Sequence, residues 1–576
     1  MPLLLLLVFI LIPGKSSGSP WQLLGFDGLS AGVASSLWGG VSGPASVYYN
    51  PAGLAKNNDL MVSTGYFYTI PRLTYKMEEN PDLKSFANFP ILDPAGECGS
   101  LSDQTLRKNC EKDVVRYNQY VQTGRSLYAF QKSIEEDLTQ RATRPLPLSG
   151  LSVGASYTLP KTPFPIVAGV GVFGVIDPFV VIYQRIKSPS TPFFLRYDDY
   201  PHRLALDFAV GLEPLRNLRM GGGVDFLLDV RAKPLIEVAL PPEIYILNPN
   251  LKDIRFFADG TIKEPVRLVP TGGIQYQFFP WLEVGAGFRE EQKAEVSAEG
   301  VAEIHTVQGI DRIPIRLLTQ TAFTPREIGG GGRIRFLKEK EKEGNVFLSV
   351  SHKRWSRYKP SFGISADVGG VSSLGCGVLK NLQDLPDLLS SLNIPISTEA
   401  ICDLLKTQAP TSFSVSAFDP SLSPIKDTWE PALGIHLSLS SFQIATGYRF
   451  EPSPVKDQTS VYNILDRDRH IGGIYFGYSV DRYTIGIFSQ IQKLTKGQVT
   501  KDPTSVQRNS NPFGLEAPDA YPDFPEPNNS YPEEVKNTLH QLKTETEGTQ
   551  TVYPGYPGYT VGGSYYLIGI GIETRF

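Results

Sequence analysis

The residue types able to do chemistry in this 576-residue chain do not converge on a catalytic centre. Its six histidines are scattered at 202, 305, 352, 436, 470 and 540. Only His470 sits in a polar cluster, beside Asp468 and Arg469, and it is read as part of a hydrogen-bond network, not as a base. Gly169-Val-Gly-Val-Phe-Gly174 matches the dinucleotide pattern GxGxxG. That pattern works only where a strand turns into a helix whose N-terminus holds pyrophosphate. Here β-branched residues and Pro178 follow, so no helix starts. Within a strand such glycines mark a bend, a bulge or a close approach of another segment, and Gly329 to Gly332 reads likewise. The four cysteines fall into two local pairs, Cys98 with Cys110 and Cys376 with Cys402. They form no CxxC and have no histidine alongside, which argues against a metal site. Two loop disulfides are expected if the chain is exported, with unpaired thiols the alternative. No enzyme activity, metal or cofactor is expected.

The elements around these residues are strands. From Tyr565 to Phe576 the even positions Tyr566, Ile568, Ile570, Ile572 and Phe576 are apolar, Thr574 excepted. The odd positions Gly569, Gly571, Glu573 and Arg575 are small or charged. A period of two places one face in an apolar medium and the other in a wet one. Leu218 to Val230 alternates in the same way, with Arg219, Gly221, Gly223, Asp225 and Asp229 on its polar face. So do segments near Val346, Phe442 and Ile474. Gly-rich or charged inner faces suit a lumen better than a dry sandwich core.

About fourteen such segments can be placed, an even number as bacterial barrels require. They begin near Leu60, Ser149, Pro165, Arg203, Leu218, Val266, Trp281, Arg326, Asn345, Thr428, Ser441, Arg469, Tyr483 and Thr560. The fold class expected is therefore all-β, a transmembrane antiparallel β-barrel. Connections such as Lys161-Thr-Pro-Phe and Asp481-Arg482 are tight, whereas 72–148, 357–427 and 495–558 are long. Helices are expected from Cys110 to Leu138 and from Val378 to Leu405, and irregular structure over the Pro/Tyr/Asn-rich 503–558. A mean hydropathy of −0.14 does not exclude membrane insertion, because a barrel needs apolar residues only at alternate positions. Charge is nearly balanced, 55 Lys+Arg against 59 Asp+Glu, so there is no footprint for nucleic acid.

The N-terminus reads as an export signal, residues 1–18. Leu3 to Ile12 is too short for a membrane helix (about 20 residues are needed), and Ser16-Ser-Gly18 suits a peptidase. No Lys or Arg precedes the apolar run. Residues 19–55 are rich in Gly, Ala and Ser and do not alternate, so they are read as a plug that folds into the lumen. Residues 56–576 form the barrel.

Pro44-Ala-Ser-Val-Tyr-Tyr-Asn-Pro-Ala-Gly-Leu54 resembles the N-terminal hatch, with its Asn50-Pro51-Ala52 motif, of the FadL-type outer-membrane transporters of long-chain fatty acids and other hydrophobic compounds. Trp355-Ser356, Thr428-Trp429, Gly447-Tyr448-Arg449, Pro452-Ser-Pro454-Val455 and Asp468-Arg469-His470 follow in the order that family shows. The resemblance spans essentially the mature chain, although the three long loops exceed the family's usual length. It implies a monomer in the outer membrane of a Gram-negative bacterium, in contact with lipid and lipopolysaccharide. It further implies passive uptake: outer loops collect a hydrophobic ligand, a fatty acid or hydrocarbon, which passes the hatch and leaves sideways through a kinked third strand. Gly169, Gly171, Gly174, Asp177 and Pro178 would make that lateral gate. The main alternative is a family-related barrel serving as a surface or secretion scaffold for a protein partner. An aqueous porin would lack the hatch.

Overall fold

The computed structural model describes residues 24–56, 59–143, 147–175, 183–187, 192–197, 203–229, 233–237, 255–257, 268–306, 309–339, 342–358, 362–367, 412–416, 425–456, 458, 463–501, 523–548 and 556–576. Residues 1–18, Asp177, Pro178, Cys376, Cys402 and the helix expected over Val378 to Leu405 lie outside them.

Fourteen antiparallel strands close into one barrel. They are numbered around its wall as β1 Met61–Met77, β2 Ser149–Thr158, β3 Ile166–Val175, β4 Arg203–Leu215, β5 Leu218–Asp229, β6 Leu268–Phe279, β7 Leu282–Arg289, β8 Glu327–Glu339, β9 Lys342–Lys353, β10 Thr428–Leu439, β11 Phe442–Glu451, β12 Arg469–Val480, β13 Tyr483–Thr500 and β14 Gly558–Arg575. Each pairs with its chain neighbour, and β1 closes on β14 from Met61↔Arg575 to Met77↔Tyr559. The alternation seen in the sequence sets the faces. Ile568, Ile570 and Ile572 of β14 are exposed on the outside, while Tyr565 and Leu567 are buried inside.

One end of the barrel carries tight turns. Lys161, Asn217, Ser440 and Asp481 take the left-handed conformation there, the backbone twist that short hairpin loops demand. The same end carries exposed Phe278, Phe279, Trp281 and Phe442. The other end carries the long connections. Two of these start later than the sequence suggested, since β1 runs on to Met77 and β13 to Thr500. Their apolar inner positions, Leu73, Tyr75 and Val499, are buried, so the ladder continues beyond the level where alternation looked complete.

The long connections build two further bodies. Parts of several form a seven-stranded sheet, ordered Ser412–Ser416, Phe362–Asp367, Gly309–Thr324, Gln292–Thr306, Arg255–Phe257, Lys233–Glu237 and Tyr183–Lys187. The first and last connections form a helical cap. The expected helix lies inside α1, Gln104–Thr143. The expectation of irregular structure over 503–558 holds for 523–532 and is corrected over α2, Glu533–Thr546. Its Val535, Leu539 and Leu542 fall at helical spacing and are buried against α1; the surrounding Pro and Asn had hidden that stripe. Cys98 and Cys110 are joined by a disulfide. Tyr531 donates to Asp113 Oδ2 across the two connections at 2.7 Å. Burial raises the Tyr117 hydroxyl to about 12, where it donates to the Pro90 carbonyl at 3.0 Å.

Candidate functional site

Residues 24–56 lie inside the barrel. Asp27 caps a short helix, Gly28–Gly32, through a reciprocal bond with Ser30. A second short helix, Ser46–Tyr49, leads into a 3-10 turn, Pro51–Lys56. Almost every side chain in the segment is buried. A belt of inward-facing glycines receives it. A Cβ on Gly154 would strike Phe26 and Pro44, on Gly169 Val47 and Leu54, on Gly221 Pro51 and Ala52, on Gly447 Val33, and on Gly473 Ala31. Gly287 and Gly329 flank the ring of Trp38. Side chains at these positions would fill the space the segment occupies, so the wall and the segment are shaped to each other.

The Asn50-Pro51-Ala52 motif faces β4 to β7. Asn50 Nδ2 donates to the Trp38 carbonyl at 3.0 Å and to the Ile274 and Ala286 carbonyls at 3.3 Å. Its Oδ1 accepts from Ala52 N–H at 3.2 Å. One buried amide thus stitches two parts of the segment to two wall strands. At the tight-turn end, Lys56 Nζ pairs with Glu283 at 2.8 Å and donates to the Gly40 and Val41 carbonyls. Arg219 and Arg333 share the same carboxylate.

Above the segment, toward the long connections, the lumen has two unlike walls. From β4 to β12 it is ionic. Arg289 pairs with Asp225 at 2.5 Å and Glu327 at 3.7 Å, and its guanidinium lies 3.8 Å from the Tyr48 ring centre. Lys353 pairs with Glu430 at 2.7 Å, Arg449 with Glu451 at 2.8 Å, and Arg469 also with Glu451. A small polar cavity of about 20 Å³, roughly one water in size, lies between Tyr48, Glu327, Lys353 and Arg449. From β13 round through β14 and β1 to β3 the wall carries a buried aromatic and aliphatic cluster, interspersed with the uncharged polar side chains of Gln490, Gln492, Thr69, Ser152 and Ser156. Phe67 stacks on Phe173 at 5.3 Å, and Leu73, Leu494, Tyr565 and Leu567 join them in one buried cluster.

The remaining sequence candidates divide by face. Trp429 points outward, and its ring lies tilted against that of His352 with centres 4.6 Å apart. Tyr448 Oη lies 2.7 Å from His470 Nδ1 in a hydrogen bond between neighbouring strands. Trp355 is buried beyond β9 against Phe323. The connection between β11 and β12 is drawn tight by the motif residues. Asp468 accepts from Ser453 N–H at 2.7 Å, Pro454 O from Lys426 N–H at 2.7 Å, and Pro452 O from Arg196 at 2.7 Å.

Gly169 and Gly171, which the sequence offered for a lateral gate, lie in a regular ladder. The ladder of β3 is unbroken with β2 from Thr158↔Val167 to Gly150↔Val175. With β4 it runs from Ile166↔Leu212 to Phe173↔Ala205. Gly169 is needed for contact with Val47 and Leu54. Gly171 lies in the paired stretch, and the described pairing with β4 stops just before Gly174.

Sequence reasoning missed Trp38, the glycine belt as a belt, the ionic half-ring and the inserted residues 192–197. The belt had a signal: inner-face parity places one glycine at a similar distance from the tight turns in most strands.

No family model matches the chain, and no curated protein does. Among solved structures it is similar to a FadL homologue of Pseudomonas aeruginosa, at 9% identity and a TM-score of 0.45, covering 98% of this chain and 99% of that one. It is similar to the CymD monoaromatic hydrocarbon channel at 9% identity and 0.46, covering 96% and 98%. It is similar to the Pseudomonas putida toluene transporter TodX at 10% identity and 0.42, covering 98% and 100%. Likeness at this level leaves the assignment of function to the chain's own geometry.

Proposed function

We propose that this chain is a passive channel of the Gram-negative outer membrane, FadL-like in plan, that takes up hydrophobic molecules such as fatty acids or hydrocarbons. The observation that carries the reading is the two-faced lumen above a fitted plug. An aqueous pore needs an open, wetted lumen; here the plug touches most of the wall, and one sector above it holds an uncharged aromatic and aliphatic cluster. Apolar ligand gains about 25 cal/mol per Å² removed from water, so it follows the β13-to-β3 sector. The ion-paired sector offers that ligand nothing and holds the plug in place. The outward apolar faces belong in lipid and the long connections outside, beside lipopolysaccharide, in a monomer after removal of residues 1–18. Residues 24–56 act as the hatch. Transfer needs no energy source, because apolar burial awaits at both ends. Exit is sideways at the end of β3 near Gly174, where the paired stretch with β4 ends.

The test is uptake of an uncharged fluorescent hydrocarbon by cells carrying the barrel. Uptake above that of cells without it is expected, and its absence would refute the reading. A scaffold for a protein partner remains the second reading, favoured by the seven-stranded sheet, whose end strands Tyr183–Lys187 and Ser412–Ser416 each have one strand partner among the described residues. A stoichiometric protein that co-purifies with the barrel would support it.

A further inference from the structure

The lumen is closed a second time, from the long-connection end. Residues 192–197, between β3 and β4, enter the barrel as a short strap. Phe193 and Phe194 pair in parallel with Ile464 and Leu465 of the connection between β11 and β12. Phe194, Arg196 and Tyr197 are almost wholly buried, at 2%, 4% and 2% exposure. Arg196 anchors the strap: its guanidinium lies 2.8 Å from Glu451 Oε2 and 2.9 Å from Asp466 Oδ2. Tyr197 donates to Gln492 at 3.2 Å, and its ring lies 5.0 Å from that of Tyr565.

The strap's rings stand in the β13-to-β3 sector itself, in one cluster with Phe67, Phe173, Tyr565 and Leu567. They hold the space that a hydrophobic ligand must cross. Burying an arginine with two carboxylates is costly unless the geometry is well satisfied, and such clusters serve better as registering devices than as sources of stability. That is what a returning strap requires: a defined seat that adds little net stability.

The anchor also bears on ligand class. Among the described residues, the upper ionic layer holds the carboxylates of Asp207, Asp225, Glu327, Glu430, Glu451 and Asp466. Its cations are Arg289, Lys353, Arg449 and Arg469, with Arg196 as the fifth. When the strap withdraws, Arg196 goes with it. Asp466 loses its ion-pair partner and the chamber becomes formally more negative. A ligand carboxylate is then repelled at low dielectric, while an uncharged ring or alkyl chain is not.

We propose that residues 192–197 are a self-supplied occupant of the ligand chamber, displaced by an uncharged aromatic or alkyl molecule and reseated through Arg196 when the chamber empties. This rests on the transport reading, and two measurements separate their failures. The first uses Phe193→Cys with Ile464→Cys, Cα partners in the bridge, oxidised to lock the strap. Cells carrying the barrel are given N-phenyl-1-naphthylamine or a dansyl fatty acid. Uptake of the uncharged probe is expected to fall to background when the strap is locked and to return on reduction. In the unlocked protein the uncharged probe is expected to enter faster than the carboxylate. Unchanged uptake in the locked protein would overturn the strap, and faster entry of the carboxylate would overturn the ligand class. If the unaltered barrel takes up neither probe, the transport reading fails. The second measurement decides the strap without transport. In purified protein bearing Phe194→Cys, with Cys376→Ser and Cys402→Ser, maleimide labelling at position 194 is expected to rise severalfold when naphthalene is added. No rise would overturn the proposal.

Discussion

Asn50 of the plug segment and Gly273 of β6 fit one another: a Cβ on Gly273 would fall 2.0 Å from Asn50 Oδ1. The amide that ties the segment to the wall is admitted only because the wall gives up a side chain there. Gly273→Val is therefore expected to displace the segment, with an overpacking cost of about 1–3 kcal/mol. Leakage of small polar solutes through the reconstituted barrel measures it. Gly330→Ala is the matched control. It is on the outward face with its nearest neighbour 3.5 Å away, and it should leave permeability unchanged.

Asn50→Ala removes the donor to three carbonyls while keeping the backbone path. The loss expected is about 1–3 kcal/mol, the cost of buried polar groups left unsatisfied. Hydrogen exchange over residues 46–56 should quicken while exchange in the barrel strands stays slow. Equal quickening of both would show that the amide holds the wall together as well as the segment.

Arg289 holds Asp225, Glu327 and the Tyr48 ring at once. Arg289→Met leaves two carboxylates inside the wall without that charge. Removal of one partner of a buried pair costs about 3–5 kcal/mol. The heat-induced shift in gel mobility of the folded barrel should occur at lower temperature. Restoring charge balance with Asp225→Asn in the same chain should recover part of the loss.

The Cys98–Cys110 disulfide closes a sequence separation of 12 residues, and a loop of that size is worth about 3 kcal/mol in the chain-entropy account. Replacing both cysteines with serine should speed proteolysis of α1 and α2 together, since they share one buried cluster. The barrel's resistance to heat should not change. Cleavage confined to α1 would show that the cap folds as two independent parts.

Gly171→Val with Gly174→Val tests the sideways exit. β-Branched residues favour the ladder and would extend regular pairing past Phe173. Uptake of a hydrophobic probe should fall while its binding to the long connections persists. Gly169→Val is expected to behave differently, because its side chain would strike Val47 and Leu54 and disturb the plug first.

The sequence by itself determined the wall. Alternation has a fixed period of two, so Ile568, Ile570 and Ile572 could be set outside and Tyr565 and Leu567 on the opposite face without knowing any neighbour. All fourteen strand starts lie within a few residues of where alternation placed them. The cysteine spacing likewise pointed to the Cys98–Cys110 bridge. What fills the wall was decided only by tertiary structure. Closing the barrel brings Gly221, Gly447 and Gly473 to one level from distant parts of the chain, and nothing local says that Trp38 or Pro51 will meet them. Arg196 is an ordinary loop arginine in sequence. It becomes an anchor because the fold carries Glu451 and Asp466 to within 3 Å of it. Local periodicity reports which medium a face meets; which partners meet across the lumen depends on barrel closure and on where the long connections re-enter.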